Sequence, residues 1–200
     1  MFYFVYCIDR PGSAALRDEL IEAHWAYMDG FAGRLHARGP TLTVDGETAT
    51  GSLHVVDLPS DAAAREFGEL EPNWRAGVYA AMEVYRFEDL LGRSMWDFRG
   101  PEGPRFLVVA LGDGDAGGID RDQDGLIVLG RLRAVGDGTL GGDRALGGDR
   151  AAGEDGAAVG VAACVQAPDD VAAGAMLTGF AAREVSVRPW RFGGRPAATE

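Results

Sequence analysis

From Phe2 to Ile8 the chain alternates two sets, Phe2/Phe4/Tyr6/Ile8 and Tyr3/Val5/Cys7, and both are largely apolar. A β-rich run of this kind predicts a strand covered on both faces. Arg10-Pro11-Gly12 turns the chain and Ser13 stands where a helix N-cap would. Leu16, Leu20, His24, Tyr27, Phe31 and Leu35 then recur at helical spacing, which predicts a helix over 14–35. Gly39-Pro40 stops that segment. Thr41–Val44 and Gly51–Leu58 read as strands joined by a turn at Asp45-Gly46, Pro59-Ser60-Asp61 opens a helix to Leu70, and Val78–Phe87 reads as a last strand. The β-α-β-β-α-β order is the ferredoxin-like arrangement.

The pattern then returns in the same order. Gly33-Arg-Leu-His-Ala-Arg-Gly39 reappears as Gly130-Arg-Leu-Arg-Ala-Val-Gly136, with five identities in seven positions. Pro59-Ser-Asp-Ala-Ala-Ala64 reappears as Pro168-Asp-Asp-Val-Ala-Ala173, each after an apolar strand, and Phe106–Leu111 and Glu184–Ser186 echo Phe2–Ile8 and Glu83–Tyr85. These echoes predict two tandem units, an intact one over 1–90 and a degenerate one over 105–195, joined by a linker over 91–104. In the second unit, residues 112–125 carry too many glycines and no apolar period for a first helix. A Gly/Asp-rich loop at about 136–157 contains the direct duplication Leu140-Gly-Gly-Asp-Arg-Ala145/Leu146-Gly-Gly-Asp-Arg-Ala151. In the linker, the aromatics of Met95-Trp96-Asp97-Phe98 are expected to dock against a sheet, or Trp96 to wall a pocket.

Composition narrows the partners. A net charge of -12 and a pI near 4.6 argue against nucleic acid and anionic membranes and leave a small molecule or another protein. Met1–Ile8 has no preceding basic region, and no stretch reaches the roughly 18 apolar residues of a membrane span, so a soluble cytoplasmic protein is expected. All 19 basic residues are arginine, which with abundant Ala and Gly suggests a GC-rich bacterial source and excludes lysine Schiff-base chemistry. Cys7 and Cys164 lie singly in apolar strands, and burial rather than a disulfide is expected.

All three histidines, His24, His36 and His54, lie in the first half. His24 occupies the apolar face of the first predicted helix, where it is either a satisfied core histidine or a group suited to proton transfer near neutral pH. Asp9, at the end of the first strand, and Glu71, after the second helix, could each orient it, or be solvated turn residues. His36 and His54 read as incidental, the latter in a half-exposed strand. No three of these groups fall at metal-ligand spacing, so no metal is assigned. Asp120-Arg-Asp-Gln-Asp124-Gly125 copies the opening of a calcium loop, but its twelfth position is Arg131 instead of a bidentate Glu, and it reads as an acidic surface loop. Phosphate-loop, dinucleotide and serine-hydrolase motifs are absent.

Over residues 1–90 the chain resembles the YCII-related (YciI-like) family. The resemblance rests on Phe2-Tyr-Phe-Val-Tyr6 with Asp9, on His24, on Gly33-Arg-Leu with Gly39-Pro40, and on Glu71-Pro-Asn-Trp-Arg-Ala-Gly-Val-Tyr79. The Arg188-Pro-Trp-Arg-Phe-Gly-Gly-Arg195 segment is similar to the close of tandem members. The resemblance implies an α+β fold of two ferredoxin-like units of the dimeric α/β-barrel type, packed sheet to sheet. The chain would then be a pseudo-dimeric monomer or a homodimer, with His24 as the catalytic residue. One relative eliminates HCl from a chlorinated hydroxyhydroquinone. Two departures are Glu71, where the family has Asp, and Ile21, where it often has Arg.

The expected function is therefore that of a cofactor-independent lyase or isomerase, in which His24 moves a proton and Asp9 or Glu71 orients it. Trp25, Tyr27, Trp74 and Tyr79 would wall a pocket for an aromatic or polyketide-like substrate, in aromatic degradation or specialised metabolism. The alternative is a non-catalytic binding or structural partner protein. The second unit would cover the first, leaving one site per chain.

Overall fold

The computed structural model describes residues 1–141 and 156–195. Strand β1 (Phe2–Asp9) leads into two short helices, α1 (Ala14–Glu19) and α2 (Ile21–Asp29). Strands β2 (Leu35–Leu42) and β3 (Ala49–Asp57), helices α3 (Asp61–Glu69) and α4 (Pro72–Arg75), and strand β4 (Tyr79–Asp89) complete the first half. The second half holds β5 (Arg105–Leu111), β6 (Leu126–Gly141), β7 (Ala158–Gln166), α5 (Asp170–Ala175) and β8 (Glu184–Pro189). The only described helical turn between β5 and β6 is a 3-10 turn at Ala116–Gly118.

The eight strands form one antiparallel sheet in the order β2-β3-β1-β4-β6-β7-β5-β8. Two separate sheets were expected. Instead β4 hydrogen-bonds to β6, because both strands are long enough to pair from Ala81↔Gly141 to Asp89↔Gly130. The order β6-β7-β5-β8 repeats β2-β3-β1-β4. Register repeats as well, with Val5 facing His54 and Val108 facing Ala163. So do the caps: Ser60 accepts from the Ala63 N–H at the start of α3, and Asp169 accepts from the Ala172 N–H at the start of α5.

The chain after β8 brings the two outer strands together. Thr41 bridges Trp190, the Arg191 N–H donates to the Pro40 carbonyl at 3.3 Å, and the Gly193 N–H donates to the Arg38 carbonyl at 3.0 Å. The sheet thus curls onto itself. Its inner face is one shared core, with Phe4, Tyr6 and Leu53 from the first half and Leu107, Val109 and Ile127 from the second. Tyr3, Val5 and Cys7 face outward under the first-half helices, and Phe106, Val108 and Ala110 face outward under α5 and the Leu177–Phe180 turn. This accounts for the doubly apolar first strand.

Several boundaries differ from the sequence expectation. The single helix over 14–35 is broken at Leu20 and ends at Asp29; Gly30 and Gly33 weaken it, and β3 captures Leu35–Leu42 as an extra-long β2. Ser13 makes no side-chain cap. In the linker, Met95 is buried and Phe98 packs on the shared core, whereas Trp96 stays 43% exposed. Cys7 and Cys164 are buried and free. All but the first two positions of the duplicated hexapeptide lie outside the described residues.

Candidate active site

The first turn of α2 begins at Leu20, whose carbonyl accepts from the His24 N–H, and this sets His24 over the outer face of β1 and β3. Its Nδ1 lies 2.6 Å from Glu71 Oε1; the Glu71 side chain is buried at 2% exposure and that of His24 is partly buried at 12%. Glu71 is in turn fixed as the N-cap of α4, because its Oε2 accepts from the Trp74 N–H at 3.1 Å. A carboxylate on Nδ1 selects the tautomer with its proton there and leaves Nε2 as the free nitrogen.

Asp9 does not touch His24. It accepts from Arg17 Nη1 through both oxygens, at 2.8 and 3.1 Å, while Arg17 Nη2 donates to Ser52 Oγ at 2.7 Å. Ser52 Oγ also accepts from the Tyr79 hydroxyl at 3.1 Å, and that hydroxyl accepts from Asn73 Nδ2 at 3.2 Å. Burial lifts the Asp9 carboxyl above its usual range although Arg17 pulls it down. Burial also works against the Arg17 charge, but Tyr79, Asp9 and Glu71 outweigh it and raise its pKa. Burial, followed by the charge of Glu71, pushes the Tyr79 phenol well up, so it is a neutral donor.

His24 opens onto a cavity of about 280 Å³ whose lining includes Arg17, Trp25, Ser52, His54, Arg38 and Arg191. His54 is 3% exposed and its ring centroid is 5.8 Å from that of His24. Burial, reinforced by the guanidinium charges of Arg38 and Arg17, lowers its pKa well below 6.5, so it is neutral. Among the described residues its Nδ1 has no hydrogen-bond partner.

Of the expected pocket walls, Trp25 lines the cavity. Tyr27, Trp74 and Tyr79 do not. Tyr27 donates to the Phe67 carbonyl and packs on Phe31 and Phe67, Trp74 packs against the outer core, and Tyr79 acts from beneath through Ser52. His54, read as incidental, forms part of the lining instead. Arg17 and Ser52 were missed as well. Arg17 could have been found seven residues before His24, two helical turns along the same face.

Among the described residues, no group of three or more His, Cys, Asp and Glu stands where it could hold a metal ion. The Asp120–Asp124 segment is a turn in which the Asp122 N–H donates to Asp120 Oδ1. No described helix is long and apolar enough to cross a membrane.

A family model of the YCII-related domain matches residues 1–88, from β1 almost to the end of β4. The chain belongs to the YCII-related family. Its YCII-related domain contains His24, Glu71, Arg17, Ser52 and His54. The chain is 33% identical to 5-chloro-2-hydroxyhydroquinone dehydrochlorinase of Burkholderia phenoliruptrix, solved in complex with 2,5-dihydroxybenzoquinone. That match covers 44% of this chain and 94% of the enzyme, with a TM-score of 0.42. A candidate monooxygenase of Lactobacillus acidophilus is 6% identical, over 95% of this chain and 92% of its own, with a TM-score of 0.49. No curated protein matches the chain.

Proposed function

We propose that the protein is a small-molecule lyase or isomerase in which His24 Nε2 takes a proton from a hydroxylated ring bound in the cavity. The observation that carries this reading is the His24–Glu71 pair, with His24 on the cavity wall and Glu71 buried behind it. Glu71 holds the tautomer and stabilises the imidazolium that forms, the role a buried carboxylate plays in a catalytic triad. In an elimination, the bonding pair released by the lost proton moves into the ring and the leaving group departs with a pair. In an isomerisation, the same imidazolium returns the proton to another atom. Either course balances without a further reactant. Arg17 and Ser52 form a prearranged polar floor, held by Asp9 and Tyr79, on which developing negative charge on a ring oxygen can rest.

The likeness to the dehydrochlorinase supports a hydroxylated single ring as the substrate class, and a 280 Å³ cavity has room for one ring. The repeated strand order and register support reading the chain as two tandem units with one working site. On that reading, the outward-facing positions of Ser52 and His54 in β3 correspond to Val161 and Ala163 in β7.

The test is chloride release from 5-chloro-2-hydroxyhydroquinone by the wild type and by His24→Ala. Turnover by the wild type, lost in the variant while 2,5-dihydroxybenzoquinone still binds, supports the reading. Binding without turnover in either protein would make the chain a binding protein for this ligand class.

A further inference from the structure

The cavity does not belong to the YCII-related domain alone. The strap after β8, from Trp190 to Arg195, crosses from the second half and lays Arg191, Phe192, Gly193 and Gly194 along the cavity beside Arg38 of β2. The approach is close enough to need glycine: a Cβ on Gly39 would stand 1.9 Å from the Arg191 carbonyl oxygen, and one on Gly193 would stand 2.6 Å from the Gly39 Cα. Arg195 then ties the strap to α2, through Glu22 at 2.5 Å and Asp29 at 3.3 Å, with its guanidinium over the Trp25 ring.

We infer that this strap-side wall is a carboxylate site formed by Arg38 and Arg191, so that the substrate is a hydroxylated aromatic acid. Three arginines line the cavity, and they are not equivalent. Arg17 is already ion-paired with Asp9 and hydrogen-bonded to Ser52. Arg38 and Arg191 make no ion pair among the described residues; Arg38 gives only its Nε to the Gly193 carbonyl, at 3.3 Å. Guanidinium groups without a carboxylate partner of their own suit a planar carboxylate. Asp18 and Glu47 also line the cavity, but both are exposed, where solvent and salt screen them. His54, 3% exposed, adds a neutral imidazole to the same lining.

The inference rests on the proton-transfer reading only for which end of the ring meets His24; the carboxylate site is tested by binding alone. Calorimetric titration with 2,5-dihydroxybenzoate and with hydroquinone compares the same ring with and without the acid. The wild type is expected to bind the acid about tenfold or more tightly, and Arg191→Gln and Arg38→Gln each to remove most of that preference. His24→Ala should keep the preference, so a failure of proton transfer would show separately. Equal affinity for the two probes in the wild type, binding of neither, or a preference undiminished in both arginine variants would overturn the inference. If Arg38→Gln does not fold, the exposed Arg191→Gln decides alone.

Discussion

Glu71 has two oxygens and two duties, one on His24 Nδ1 and one on the α4 cap. These can be separated. Glu71→Gln keeps a carbonyl oxygen that can accept from the Trp74 N–H but loses the negative partner of an imidazolium. Unfolding should shift little while turnover falls about 10²-fold or more. Glu71→Ala should lose both, with about 1 kcal/mol of stability gone with the cap; chemical denaturation and steady-state rates distinguish the two variants. His54 gives a pH dependence. Its folded pKa is depressed below 6.5, so the unfolded chain takes up a proton that the native site refuses. Its contribution to stability is therefore present above that value and is lost as the pH falls through the folded pKa. His36, also lowered by burial, acts in the same direction. Thermal unfolding of wild type and His54→Gln from about pH 7.5 to about pH 5.5 should show a shallower decline in the variant. Burial pushes both thiols up, so Cys7 and Cys164 should resist a thiol reagent until the protein unfolds.

At the scale of elements, the strap is held by backbone contact where a side chain cannot fit. Gly39→Ala should push Arg191 off β2 and cost about 1–3 kcal/mol, read from denaturant unfolding, with weaker ligand binding. The strands of the first half were legible because their apolar sets alternate over whole elements, and the ferredoxin-like order followed from them. The helix carrying His24 was legible as a helix but not in its ends, since Leu35 fits a helical period yet pairs with Val56. The site was half legible. His24 and Glu71 stood in recognisable positions, whereas Ser52 and His54 mimicked a solvent face by alternating with Leu53 and Val55. Both faces of β3 are in fact covered, and the polar set lies under the helices and lines the cavity. Aromatic residues misled for the opposite reason: Tyr27 and Trp74 resemble pocket walls in sequence, but such rings fill cores just as readily.

For the whole molecule, the curl of one sheet joins the two halves of the chain around one core. The inner face is a single shared core, the β4–β6 seam pairs the two strands on either side of an irregularity between Glu83 and Tyr85, and the strap brings β2 and β8 together. Over the second half, the corresponding outer face is filled by Ile119, Met176, Leu177 and Phe180, side chains with no acid or base. Ligand titration should accordingly give one site per chain. The central claim, that His24 moves a proton to and from a bound hydroxylated ring, is tested most directly by proton magnetic resonance of hydroxyhydroquinone in D2O. The account predicts that the wild type catalyses exchange of a ring proton for deuterium and that His24→Ala does not. A wild type that leaves the ring protons at their uncatalysed rate, or a His24→Ala variant that exchanges them as fast as the wild type, would contradict it.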